Sequence, residues 1–262
     1  MNEHEDERGT RTVDWDAAAY VRLSTPQQSW AEEVLARLEL AGDETVVDLG
    51  CGAGLITERL VARVPRGRVI AVDASPTMAR ATKARLGDRV EVVVADLHHF
   101  TWPEPADVLF STATLHWVPD HARLWRHLHG LLRTGGRLAV QYGGAGNIPG
   151  VEEAMAELAA RAPFAGHLAP FRSPWTFDTV DTAQREVAAA GFTDVRVWSE
   201  RRQARPPDML AFLATSVAVT ELDRLPADLH SRYTAALFEA LQFPAELAYV
   251  RLNVDARAGE HW

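Results

Sequence analysis

The sequence predicts an α/β fold, doubly wound around a mostly parallel sheet of seven strands, with a helical N-terminal segment and a helical insert or lid on its C-terminal half. Three observations predict it. Short apolar, β-branched runs alternate with helical stretches across residues 40–142. The first run, Thr45-Val46-Val47-Asp48-Leu49, is apolar on both faces, as a central parallel strand requires, and enters the turn Gly50-Cys51-Gly52-Ala53-Gly54. An acidic residue, Asp73, closes the next run.

Within residues 30–40, Trp30, Val34, Leu35 and Leu38 recur at helical spacing, and Gly42 stops the helix. After the strand at 45–49, residues 55–64 read as a helix closed by Pro65 and Gly67, 68–72 as a strand, 76–86 as a helix, and 90–94 and 108–111 as strands. Residues 120–132 read as a helix, Gly135-Gly136 as a turn, and 137–142 as the fifth strand. Beyond Gly143 the rhythm loosens. Residues 151–161 and 178–190 are helical, 162–177 form a long proline- and aromatic-rich loop or lid, 195–198 a strand, and 207–243 are mostly helical. Residues 247–256 alternate, with Val250, Leu252, Val254 and Ala256 on one face, which reads as a final strand at an edge. The expected organisation is a disordered tail at 1–12 and one domain at 13–262, with a ligand-binding core at 40–142 and additions at 143–178 and 205–243.

At 262 residues, 47% hydrophobic and 24% charged, the chain can bury a core without disulfides. Cys51 is its one cysteine, which excludes an intramolecular disulfide and fits a reducing cytoplasm. The N-terminus lacks the apolar region of a signal peptide, and no run approaches the roughly 20 apolar residues of a membrane span. A net charge of −9 disfavours nucleic acid, whose phosphates call for clustered basic residues. No His or Cys cluster has metal-ligand spacing, so no metal is expected. The expected partner is a small molecule.

A strand running into Gly-x-Gly-x-Gly and then a helix is a ligand-binding turn, because glycine permits close backbone approach and the helix start offers free N–H groups. The dinucleotide pattern places its third glycine one residue later, and Asp48 would repel a pyrophosphate. The spacing therefore favours a nucleoside without phosphates, with Asp73 on its ribose; a dinucleotide oxidoreductase is the disfavoured reading.

The segment 46–54 resembles motif I of class I S-adenosylmethionine methyltransferases, whose Rossmann-like fold uses this turn for the methionine portion of the cofactor. Val72-Asp73-Ala74-Ser75-Pro76-Thr77-Met78 is similar to the family's second strand end, Val94-Ala95-Asp96-Leu97 to its third, and 110–117 to its fourth. The resemblance implies that Asp73 binds ribose with Ala74 and Met78 alongside, that Asp96 and the Leu97 amide meet adenine, and that Ser111 lines the methionine side. Residues 131–138 resemble the turn into the fifth strand. Within the class the chain is most similar to the trans-aconitate 2-methyltransferase-like small-molecule enzymes. Their N-terminal segment is similar to Trp15-Asp16 through Trp30, which implies that Tyr20 and Gln28 contact the cofactor. The expected cofactor is S-adenosylmethionine, released as S-adenosylhomocysteine.

Methyl transfer from a sulfonium is an in-line displacement, so the protein mainly positions the nucleophile, about 3 Å from the methyl carbon. A carboxylate needs no base, whereas a phenol, amine or carbon acid needs one. His116, just past a strand end, is the candidate catalytic and acceptor-facing residue, beside Trp117 and with Tyr142 at the next strand end. His167, Phe171, Arg172 and Trp175 are expected to wall the acceptor pocket, with Arg172 clamping a carboxylate. Cys51 reads as a packing residue, and packing is also the plain alternative for Tyr20 and His116. The favoured acceptor is a carboxylate oxygen; C- or N-methylation, or cofactor binding without transfer, are the alternatives.

Overall fold

The protein is described here by a computed structural model covering residues 15–23, 25–242 and 245–260; the tail expected at 1–12 lies outside them, as does Phe243. Helices α1 (Ala17–Leu23) and α2 (Thr25–Ala36) precede β1 (Thr45–Leu49), whose Val46, Val47 and Leu49 are fully buried. The chain then alternates through α3 (Leu55–Arg63), β2 (Arg68–Asp73), α4 (Pro76–Leu86), β3 (Glu91–Val94), β4 (Ala106–Thr112), α5 (His121–Leu131) and β5 (Leu132–Gly143). The start of α4 is set locally: Pro76 occupies its first turn, and Ser75 caps it by accepting the Met78 amide. After β5 come α6 (Val151–Ala159), α7 (Ala165–Leu168), α8 (Val180–Ala189), β6 (Phe192–Ala204), α9 (Met209–Phe212), a π-type turn at Leu213–Val217, α10 (Val219–Arg224), α11 (Ala227–Ala240) and β7 (Leu247–Ala258).

The seven strands form one sheet in the order β3-β2-β1-β4-β5-β7-β6. The first five pair in parallel, but β7 pairs antiparallel to both β5 and β6, so the sheet is mixed rather than mostly parallel as expected. Nor is β7 an edge strand. Leu252 and Val254 face the core as the alternation implies, but Arg251 and Asn253 on the opposite face are buried too. Arg37, just past α2, covers that polar face, donating to both carboxylate oxygens of Asp255 (3.1 Å each) and to Asn253 (3.2 Å), while Gln141 of β5 donates to Asn253 (2.9 Å). A polar row satisfied by distant partners looks like a solvated face in sequence. Two smaller differences concern local geometry. Gly135-Gly136 lie inside β5 at an irregularity where Ala106 pairs with Leu132 but Val108 with Arg137, and the 162–177 segment contains α7.

One face of the sheet packs on α5 and α8 through Leu124, Trp125, Leu128 and Val187, and the other on α2 and α3 through Leu35 and Leu60. A separate apolar cluster joins α6, α9 and α11 to Trp30, Trp175 and Tyr249 beyond the strand ends. Asp178 locks that region to the sheet. It accepts the Tyr142 hydroxyl (2.9 Å) at the end of β5 and pairs with Nδ1 of His121 at the start of α5. The other ring nitrogen, Nε2, lies 2.8 Å from the Leu115 carbonyl. Both neighbours are acceptors, so both nitrogens donate and His121 is an imidazolium. Burial opposes that charge, but the Asp178 carboxylate outweighs it and raises the His121 pKa above its ordinary 6.5.

Because the folded state raises this pKa, the pair's stabilisation is complete below about pH 6.5 and is lost as pH rises through the raised value. His121→Gln should cost about 3–5 kcal/mol at pH 6, since it leaves Asp178 buried without its cation, and the deficit should shrink towards pH 9. Urea denaturation of both proteins across that range measures it; a deficit independent of pH would show that His121 is neutral in the fold.

Candidate active site

The ends of β1, β2 and β4 converge on the glycine turn. Gly50 adopts φ 76°, and a Cβ there would stand 2.2 Å from the Thr114 side chain, whose hydroxyl donates to the Gly50 carbonyl (3.2 Å). Only glycine fits so close an approach. Gly52, at φ 55°, faces open space: its nearest neighbour would be the Tyr20 ring at 3.9 Å. The Gly52 amide donates to one carboxylate oxygen of Asp73 (2.8 Å) and the Ser75 amide to the other (2.9 Å), and these two backbone donors orient the carboxylate.

Tyr20, Gln28, Asp48, Gly50, Gly52 and Thr112 surround one hollow at this turn. Asp48, 3% exposed, accepts the Thr57 hydroxyl (2.7 Å). Burial pushes its carboxyl up to about 7; Thr57 opposes this and the charge of Asp73 adds to it. Helix α1 lies over the turn, with Met78 packed against Ala17 and Ala53, and Trp15 donating to the Ser75 hydroxyl (3.4 Å). Ala74 stands half-buried between Asp73 and the cap of α4. Asp96 follows β3, whose Val94 is in register with Asp73; its carboxylate is half-exposed and accepts the His98 amide (2.8 Å). Leu97 is buried beneath it.

Three residues of the turn region serve the frame. Gly54 starts α3 with Thr82 packed against it. Ser111, expected to line the methionine side, is fully buried and donates to the Leu49 carbonyl (2.7 Å), because β1 and β4 are adjacent strands. Cys51 is buried against Thr82, and burial raises its thiol pKa well above the usual value, so it is no nucleophile.

Across the crevice, His116 is 8% exposed, and its Nδ1 accepts the Gly143 amide (3.3 Å), which leaves the proton on Nε2. Burial, then the nearby charges of Arg251 and His121, pull its pKa well below 6.5, so it is neutral. Its carbonyl accepts the Thr176 amide (2.8 Å) and its ring stacks on Phe177. Trp117 meets Trp15 and Trp175 edge-on at 5.1 and 5.6 Å between centroids, and Trp175 stacks on Phe177 at 5.7 Å. Thus His116, Trp117 and Trp175 come together as an aromatic wall, with Phe171 packed behind in the apolar cluster.

Three other residues expected in that wall are elsewhere. Tyr142 is fully buried, with its hydroxyl held by Asp178 instead of facing the crevice. His167 is exposed on α7, where its amide donates to the Phe164 carbonyl and its own carbonyl accepts from Arg224. Arg172 is exposed, because its segment turns outward before Trp175 turns in. The buried cation of this region is Arg251 of β7, which sequence reasoning missed: in Val250-Arg251-Leu252 it occupies a position that alternation assigns to solvent.

Residues 47–140 match the family model described as a methyltransferase domain. The trans-aconitate 2-methyltransferase of Methylobacterium nodulans is 40% identical over 257 residues, covering 94% of this chain and 98% of that protein. The enzyme of the same name from an Azoarcus species is 36% identical over 177 residues, 66% of this chain and 70% of that protein. Among solved structures, a phosphoethanolamine N-methyltransferase of Haemonchus contortus superposes with a TM-score of 0.63 at 16% identity, over 93% of this chain and 57% of that one, a likeness of fold.

The two glycines should respond differently to alanine. Gly50→Ala places its methyl inside Thr114 and should cost about 3 kcal/mol or more of stability. Gly52→Ala should cost only the left-handed strain, about 1–2 kcal/mol, yet weaken S-adenosylhomocysteine binding by more than about tenfold. Urea titration and calorimetry measure the two effects; undiminished affinity in Gly52→Ala would mean that the ligand keeps clear of the turn.

Proposed function

The chain belongs to the trans-aconitate 2-methyltransferase family of S-adenosylmethionine-dependent methyltransferases, and from that premise we propose that it methylates a carboxylate oxygen of a small organic acid, releasing a methyl ester. The observation that carries the choice of acceptor is the state of His116. An imidazole held neutral, with a pKa far below its usual value and a guanidinium nearby, is a poor base. It retains an Nε2 proton to donate. A carboxylate is already an anion at neutral pH, accepts such a hydrogen bond, and requires no proton removal.

The hollow fits the cofactor: Gly52 leaves its face open, and the Asp73 carboxylate beside it is oriented by the Gly52 and Ser75 amides. In this reading Asp73 accepts from the ribose hydroxyls, Asp96 and Leu97 meet the adenine, and Tyr20, Gln28 and Asp48 surround the methionine end. S-adenosylmethionine, when bound, supplies a sulfonium methyl whose C–S bond breaks as the acceptor O–C bond forms, leaving S-adenosylhomocysteine. His116 orients the acceptor by donating from Nε2, while Trp117 and Trp175 exclude water, which would otherwise solvate the carboxylate and weaken it as a nucleophile. Residues 40–142 thus serve as the cofactor-binding core and the additions at 143–178 and 205–243 as the acceptor cover. No helix among the described residues is long and apolar enough to cross a membrane. A buried, unreactive lone thiol is compatible with the cytoplasmic location that forms part of this reading.

Incubation with labelled cofactor and a panel of organic acids, phenols and amines should yield base-labile methyl esters from acids only; label in amines or phenols alone would overturn the choice of acceptor. Asp73→Asn should weaken S-adenosylhomocysteine binding by about 1.5–3 kcal/mol, and unchanged affinity would put the ribose elsewhere. His116→Ala should lower kcat by about tenfold to a hundredfold while cofactor affinity stays within about twofold, which calorimetry beside initial rates can check.

A further inference from the structure

Arg251 is 3% exposed, yet among the described residues no carboxylate pairs with it. Among the described residues its guanidinium makes one hydrogen bond, from Nε to the Gln141 amide oxygen at 3.4 Å, and it lies 5.4 Å from the centre of the Trp30 ring. Buried charges in proteins are ordinarily paired, because removal from water is costly without a counter-ion. The fold supplies one to its neighbour: Arg37, against the same side of the sheet, holds both carboxylate oxygens of Asp255. Glu200, in register beside Arg251 on β6, is committed to Arg202 at 2.6 Å and to the Trp198 indole at 2.9 Å. Burial holds the guanidinium down at about 10, against a partial restoring effect of Tyr249 and Tyr20.

Its position is informative. In register, Arg251 faces Gly143, whose amide donates to His116 on the acceptor wall. Its charge is felt both by His116 and by Tyr20, which borders the glycine-turn hollow. The unpaired cation therefore sits where the aromatic wall meets the cofactor hollow.

We propose that Arg251 is the anchor for a ligand carboxylate, whose arrival supplies the counter-ion that the fold withholds. Two ligands carry such a group: the acid acceptor and the amino-acid end of the cofactor. For the acceptor, which rests on the reading of it as an organic acid, the anchored carboxylate differs from the methylated one. Esterification removes the reacting group's charge, and pairing with a guanidinium would blunt its nucleophilicity. An acceptor held by Arg251 thus carries at least two carboxylates.

The test compares wild type with Arg251→Met and Arg251→Lys, using calorimetry with S-adenosylhomocysteine, then with trans-aconitate added to that complex, alongside thermal melting. Removing an unpaired buried cation should leave the ligand-free Arg251→Met protein as stable as wild type or more so. One of the two ligands should bind at least about 30-fold more weakly to it, with partial recovery in Arg251→Lys. A loss confined to trans-aconitate assigns the acceptor, and one confined to S-adenosylhomocysteine assigns the cofactor. Unchanged affinity for both, or a lower melting temperature in Arg251→Met without a loss of affinity, overturns the anchor. So does a wild-type complex that binds no trans-aconitate while its S-adenosylhomocysteine affinity is insensitive to Arg251. These readouts require no turnover, so the anchor stands if trans-aconitate binds through Arg251 while label from the cofactor goes to amines or phenols alone, the outcome that overturns the methyl-ester reading.

Discussion

The buried pair of His121 and Asp178, with Tyr142 as its third member, joins the parts of the molecule that face each other across the crevice. One carboxylate, directly after the aromatic segment 162–177, ties the start of α5 to the end of β5. The segment's inner strand of contacts follows from it: Thr176 binds the His116 carbonyl, and Phe177 and Trp175 stack behind. Fixing Asp178 in this way is what turns a proline-rich connection into a wall with defined ring positions, since a loop with so few backbone partners would otherwise sample many arrangements.

Electrostatics divides the site into two halves. On the turn side, carboxylates predominate: the charge of Asp73 adds to the cost of ionising buried Asp48, and Asp73 accepts from backbone amides. On the acceptor side, a guanidinium and a neutral imidazole predominate. A ligand cation is therefore favoured at the first and a ligand anion at the second, which is the polarity needed to bring an anionic nucleophile to a cationic methyl donor. Asp48, Asp73 and Arg251 are held by β1, β2 and β7 and His116 by the turn that follows β4, so the separation is built into the sheet and its strand ends and costs little reorganisation when ligands enter.

How much of this was legible in the sequence depended on how far each signal lies from its partner. The glycine turn was readable because its requirements are met within a few residues: Gly50 and Gly52 take positive φ, and α3 follows at once. The bounds 76–86 were recovered because Ser75 and Pro76 mark a helix start in any context. Arg251 was invisible for the opposite reason. Its burial depends on α2 and Gln141, 110 residues away, and alternation alone made it a surface residue. Tyr142 was placed in the crevice because strand ends usually face it, but an acceptor 36 residues later drew its hydroxyl into the core. Arg172 had the right chemistry at the wrong position, since a proline- and aromatic-rich segment does not reveal which side chains turn inward.

The interior place of β7 has a consequence for how the chain reaches this structure. β5 and β6 are neighbours only through β7, the latest strand in sequence, so two sheet edges stay open until residues 247–258 insert between them. Closing that gap joins residues as far apart as Gln141 and Asn253, a separation of 112, after an intervening helical excursion. Loop closure on that scale is slow relative to local pairing, and open edges invite association with other chains meanwhile. The crevice acquires its guanidinium only when β7 is in place, so the acceptor side of the site depends on the longest-range pairing in the sheet.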